Sequence, residues 1–155
     1  MKNESHSPLL ARDYKFFEMA RKAADGSTFK VHVGAVAVYR GKVIASAASQ
    51  DKTHPMQRAY NRYRHFNQVG MCLPKIHAEI ALLTKLKKMD VPMTDVRVYV
   101  YRPCKVRDHG MARPCPACQR ALMAAGIRMV YYTTDFGYCV EVMDKENDTN
   151  KKVGA

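Results

Sequence analysis

Apolar residues recur at helical spacing over residues 9–24, where Leu10, Tyr14, Phe17, Ala20 and Ala24 fall on one face. Asp25-Gly26-Ser27 ends that helix. Residues 33–39 are a short apolar run, Arg40-Gly41-Lys42 turns the chain, and residues 43–48 return, which predicts a hairpin. Residues 49–74 are a connection of about 26 residues, a length commonly tied to function. In residues 57–66 arginines are mixed with rings, and Tyr60, Tyr63 and Phe66 recur at spacing that predicts a short helix. These rings either pack the connection onto the core or form a stacking and phosphate-contact surface for nucleic acid. Residues 75–89 predict a further helix, with Ile76, Ile80, Leu83 and Leu86 as its apolar stripe.

Residues 96–101 alternate as a strand, and 102–113 form a loop with Asp108-His109-Gly110 near its tip. Pro114 suits the first turn of a helix over 114–125, and Gly126 suits its C-terminal cap. Residues 127–133 and 138–143 are strands joined at Asp135-Phe136-Gly137. A parallel crossover needs a dozen or more residues, so this turn makes the last two strands antiparallel. The order helix, strand, strand, helix, strand, helix, strand, strand predicts a three-layer α/β/α fold around a mixed five-stranded sheet closed by that hairpin.

A chain of 155 residues, 47% apolar, suits a single domain over 1–155, with 144–155 as a polar, flexible tail. No stretch approaches the ~20 apolar residues of a membrane span, and the polar first residues lack the apolar run of a secretory signal. These features predict a cytoplasmic protein with no membrane partner. Five cysteines without such a signal argue against a disulfide framework. The net charge of +12 favours anionic partners. From Lys52 to Arg113, thirteen Lys or Arg face four acids, so the excess gathers around the loops. Nucleic acid, a nucleotide phosphate, an oligomer interface or plain solvation could each account for it.

Two motifs carry chemistry. Pro114-Cys115-Pro116-Ala117-Cys118 sets two thiols three residues apart at a helix start, on one face and within reach of one ion. The positive end of the helix favours the thiolates that a metal needs. Alone, the pair could also be a redox couple. His77-Ala78-Glu79 opens another helix and adds an imidazole. Three protein ligands, His77, Cys115 and Cys118, leave one tetrahedral position of a Zn²⁺ ion for water, the pattern of a catalytic site. Zinc brings that water's pKa towards ~7, and Glu79 can take and deliver its proton.

With these residues, His77-Ala78-Glu79 and Pro114-Cys115-Pro116-Ala117-Cys118, the chain resembles the zinc-dependent cytidine and deoxycytidylate deaminase superfamily over about residues 33–143. The resemblance implies a cytidine deaminase-like fold and attack of zinc-bound hydroxide at C4 of cytosine, or C6 of adenine. Ammonia leaves, and Glu79 is the proton shuttle. It also implies a backbone contact to the base from Ala78, and homo-oligomers. Family members often carry a sugar-contacting asparagine soon after the second strand. Here Asp51 or Asn61 would have to serve. The strand before the cysteine motif usually runs almost directly into it, whereas here Arg102-Pro103-Cys104 and further residues intervene. Cys104 is thereby a rival ligand without a partner at position 107.

The closing antiparallel hairpin resembles that of free-nucleoside and bacterial toxin deaminases rather than the tRNA-editing branch. The leading expectation is deamination of a cytosine nucleoside or nucleotide. Cytosine in single- or double-stranded nucleic acid is the second. A non-enzymatic zinc module, with Cys104 or His109 as a fourth ligand, is the third.

Overall fold

The central strands are buried on both faces, and the two faces carry different side chains. The computed structural model describes residues 9–64 and 75–143. Its strands are β1 (Gly34–Tyr39), β2 (Lys42–Ala48), β3 (Arg97–Tyr101), β4 (Met129–Thr133) and β5 (Tyr138–Val142). They form one sheet in the order β2-β1-β3-β4-β5. β1 is antiparallel to β2 and β3, β3 is parallel to β4, and β4 is antiparallel to β5. The mixed sheet and its closing hairpin match the sequence expectation.

Helices α1 (Ala11–Ala24), α2 (Pro55–Tyr60), α3 (Ala78–Leu86) and α4 (Pro116–Ala125) complete the layers. Alternation along the strands divides the core. Val36, Val38, Tyr99, Tyr101 and Tyr131 face Phe16, Phe17 and Ala20 of α1. Ala35, Ala37, Val98, Val100, Val130 and Tyr132 face the apolar sides of α3 and α4. On the α1 side, Tyr99 stacks on Tyr131 at 4.3 Å and donates its hydroxyl to Asp13 Oδ1 at 2.5 Å. The other Asp13 oxygen accepts the N–H of Leu10, so one buried acid caps α1 and ties it to β3. At Gly34, a Cβ would lie 2.1 Å from the Ala20 carbonyl oxygen and 2.4 Å from the Ala24 nitrogen. Only glycine allows the end of α1 this close to β1.

Several boundaries differ from the sequence reading. The helix expected over 75–89 starts at Ala78 and ends at Leu86, and the one expected over 114–125 starts at Pro116. Cys115 stays extended because the residue before a proline is kept out of the helical region. The strand expected over 127–133 begins at Met129. The short helix expected over 57–66 is α2 followed by a 3₁₀ turn at Asn61–Tyr63, and Phe66 lies outside the described residues. The ends of the long connection are clasped together. Gln50 donates to the Ile76 carbonyl, Ile76 to the Lys52 carbonyl, and Thr53 bridges to Lys75. Among the described residues no helix is long and apolar enough to cross a membrane.

Candidate metal centre and its cavity

Two helix starts meet at the site. His77 is the N-cap of α3 and Cys115 the N-cap of α4, while Cys118 is the third residue of α4. Both N-caps are extended, which turns their side chains back across the helix mouths. Gln119 Nε2 donates to the Pro114 carbonyl at 2.7 Å and fixes the approach to Cys115. His77 Nδ1 lies 3.3 Å from Cys118 Sγ and 3.6 Å from Cys115 Sγ. All three donor atoms fall within 4.8 Å of one another. A tetrahedral zinc ion with ordinary Zn–S and Zn–N bonds sets its N···S edges at about 3.6 Å, so the three donors already have the spacing the ion needs.

The protonation chemistry of the metal-free group points the same way. The Cys115 thiol is held down to about 4, first by its hydrogen bond with Cys118 and then, against burial, by His77. The Cys118 thiol is pushed up by the bond to Cys115 and by full burial. Burial opposes charge on His77, yet the bond to Cys115 and the nearby Glu79 carboxyl raise its pKa. One thiolate, one thiol and one imidazole thus share protons where a cation would displace them. Glu79 is buried, and burial raises its carboxyl to about 7, partly offset by His77. A carboxyl titrating there can accept and return a proton near neutral pH.

Glu79, Ala78, His77 and Cys115 line a cavity of about 300 Å³. Three arginines, Arg64, Arg102 and Arg113, line it too. The residues between Arg102 and Arg113 form a small returning loop. Pro103 bridges to His109, Gly110 donates to the Arg102 carbonyl, and the Thr133 hydroxyl donates to the Gly110 carbonyl. The insertion is thereby looped out, and its two ends present arginines to one space. Arg113 makes a two-pronged pair with Glu141, both bonds at 2.9 Å, and Tyr132 donates its hydroxyl to the same carboxylate. Sequence reading did not pick out Glu141, although a buried acid inside the apolar strand Tyr138–Val142 calls for a cationic partner. A larger apolar groove of about 460 Å³, bordered by Met56, Leu86 and Met93, holds none of the metal ligands.

Asp51 and Asn61, the expected sugar contacts, are not among the residues that line the metal cavity. Asp51 pairs with Lys75 at 2.9 Å, across the clasp. Asn61 Oδ1 accepts from Gln57 Nε2 at 2.8 Å, and Gln57 Oε1 in turn accepts the His77 backbone N–H at 2.9 Å. Gln57, absent from the sequence-level site, stands directly behind a ligand. The rings of Tyr60 and Tyr63 lie 6.1 Å apart, and the guanidinium of Arg120 on α4 lies 4.4 Å over Tyr63. Among the described residues, neither proposed fourth ligand joins the metal group. His109 Nδ1 is bonded to the Thr134 carbonyl at 2.6 Å, between the rings of Tyr101 and Tyr138. Cys104 lies on the looped-out insertion, where the N–H of Val106 lowers its thiol pKa.

A sheet layered between helices, with two helix mouths presenting one imidazole and two thiols beside a buried acid, defines the class of zinc-dependent hydrolytic deaminases. The family model described as "Cytidine and deoxycytidylate deaminase zinc-binding region" matches residues 10–134, and the chain belongs to that family. Zinc is therefore the metal for which the His77, Cys115 and Cys118 group is built. Among solved structures, the dCMP deaminase of the cyanophage S-TIM5 in its apo form is similar at 21% identity, over 79% of this chain and 82% of that one, with a TM-score of 0.55. The same enzyme in complex with dCMP and dUMP is similar at 19% identity, over 82% and 85%, with a TM-score of 0.56. At these identities the likeness is one of fold. No curated protein matches the chain significantly.

Proposed function

We propose that this deaminase hydrolyses the 4-amino group of cytosine in a phosphate-bearing nucleotide, giving the uracil nucleotide and ammonia. The observation that carries the reading is the set of three arginines, Arg64, Arg102 and Arg113, that line the cavity together with Glu79, His77 and Cys115. A neutral nucleoside offers them no anion, whereas a phosphate accepts their charge-assisted bonds. Glu141 occupies the Nε and Nη2 fork of Arg113 and offsets its charge, so Arg64 and Arg102 carry most of the attraction for a phosphate. The family's description names cytidine and deoxycytidylate, and the cyanophage enzyme of the same fold is a dCMP deaminase.

Zinc, when bound, supplies Lewis acidity that makes a water nucleophilic near neutral pH. Glu79 would take a proton from the attacking water and pass it to N3 of the ring, then take the proton of the hydroxyl added at C4 and deliver it to the departing amine, which leaves as ammonia. Ala78, first residue of α3, has a backbone N–H with no partner inside the helix, available to the cytosine carbonyl oxygen. Burial around Glu79 and Ala78 keeps bulk water from the carboxyl.

Cytosine within a nucleic-acid strand is the competing substrate, favoured by the arginines and rings of residues 57–64. The Arg62 and Arg120 guanidinium groups already lie over the Tyr63 ring, which supports packing over base stacking there. The test is turnover of deoxycytidylate, deoxycytidine and a cytosine-containing single-stranded oligonucleotide by the purified zinc protein. Deoxycytidylate should be the preferred substrate, with KM rising as salt is added. Activity on the oligonucleotide alone would overturn the reading.

A further inference from the structure

We propose that Gln57 is a positioning residue for the metal centre, holding the backbone N–H of His77 and thereby setting the aim of the imidazole. At many helix starts, the N-cap N–H is satisfied by an acid or amide three residues along the same helix. In α3 that residue is Ile80, which cannot accept a bond, and the acid one position earlier is Glu79, which faces the cavity. Gln57 fills the role from another helix. Its side chain is fully buried, and its Oε1 accepts the His77 N–H at 2.9 Å.

The amide's direction follows from chemistry. A backbone N–H is only a donor, so the Gln57 oxygen must face it. The Gln57 NH₂ then faces Asn61, which must present its own oxygen, and the two lie 2.8 Å apart. Each link fixes the next, from Asn61 at the end of α2 to the N-cap that carries a ligand. Outer bonds made by the ligating group itself typically carry about 10–100-fold in metal affinity or activity, and a bond that fixes the ligand's backbone acts on the same orientation from one step further back. This arrangement also leaves Glu79 free of capping duty.

The inference rests on the zinc site of the proposed deaminase, but not on its substrate, so it is tested on the metal. Zinc affinity would be measured by chelator competition on the full chain, and the cobalt-substituted protein would be read by its visible absorption. Gln57→Leu should weaken zinc about 10–100-fold and shift the cobalt bands. Gln57→Glu, which retains an acceptor oxygen, should recover most of both. Asn61→Ala leaves Gln57 in place with its NH₂ end unanchored, and should shift both readouts the same way by a smaller amount. If Gln57→Leu fails to fold, this second variant decides. Wild-type zinc affinity and cobalt bands in a folded Gln57→Leu, or in Asn61→Ala when Gln57→Leu is unfolded, would overturn the proposal. Inactivity towards every cytosine substrate with these metal shifts intact would overturn only the substrate reading.

Discussion

Glu79 concentrates the conflict between stability and chemistry in one side chain. Burial lifts its carboxyl to about 7, well above the ordinary glutamate value. Between pH 4.5 and 7 the folded, metal-free protein keeps that proton while the unfolded chain has lost it. Its contribution to stability therefore falls as pH rises through this window and levels off above it. Glu79→Gln, which does not titrate, should stabilise the metal-free protein by up to about 3 kcal/mol above pH 7. The gain should vanish below pH 4.5, as read by urea unfolding at several pH values. In the zinc-loaded enzyme the same substitution should lower kcat by about 10²–10⁴-fold with metal content unchanged, checked by kinetics beside metal analysis. Arg102→Met tests the phosphate contact: KM for deoxycytidylate should rise about 10-fold or more, while kcat/KM for deoxycytidine stays near wild type. At this scale the sequence was readable wherever chemistry depends on near neighbours. Cys115 and Cys118 are three apart, and His77 and Glu79 two apart. Gln57 was not readable, because its bond to His77 spans 20 residues and a glutamine carries no motif.

Elements were legible in kind and order, less so at their ends. Hydrophobic period separated helices from strands, since the apolar stripe of α3 and the alternation in β3 are both strong. The start of α4 misled because two prolines flank Cys115. Proline at 114 suits a first turn, but proline at 116 forces Cys115 to stay extended, and the helix starts two residues later, at Pro116. The tight approach of α1 to β1 had no sequence signal beyond a glycine at position 34. Its consequence is testable. Gly34→Ala would drive a methyl into the Ala20 carbonyl and the Ala24 backbone, which cannot yield as a flexible side chain could. A loss of about 1–3 kcal/mol or more is expected, read as a lower denaturant midpoint. Zinc content of the surviving folded fraction should stay normal, since α1 lies on the sheet face away from α3 and α4.

At the scale of the whole molecule, the ion joins elements that the chain keeps apart. Cys118 lies 41 residues after His77, with β3 between their helices. Bound zinc therefore crosslinks α3 to α4 over the sheet. Removing it with a chelator should lower the melting temperature, and returning zinc should restore it in a concentration-dependent way. A melting temperature indifferent to zinc would mean that the three donors do not bind it. The strand order was the least legible feature. The hairpin of β1 and β2 is local, but that β1 also pairs antiparallel with β3 depends on contacts across more than 50 residues, which no local period encodes. The parallel pairing of β3 with β4 follows more readily, because α4 supplies the crossover between them.

The clasp at Gln50, Lys52, Thr53, Lys75 and Ile76 has a meaning for tolerance of change as well as for folding. It brings the two ends of the connection, at Thr53 and Lys75, together beside the ligand-bearing helix α3. Closing a longer loop between fixed ends costs little, about 0.6 kcal/mol for each doubling of length. The connection can therefore tolerate changes of length outside α2 while the three donors and the acid keep their places. The length of the connection and the geometry of the metal centre are thereby set independently in this architecture.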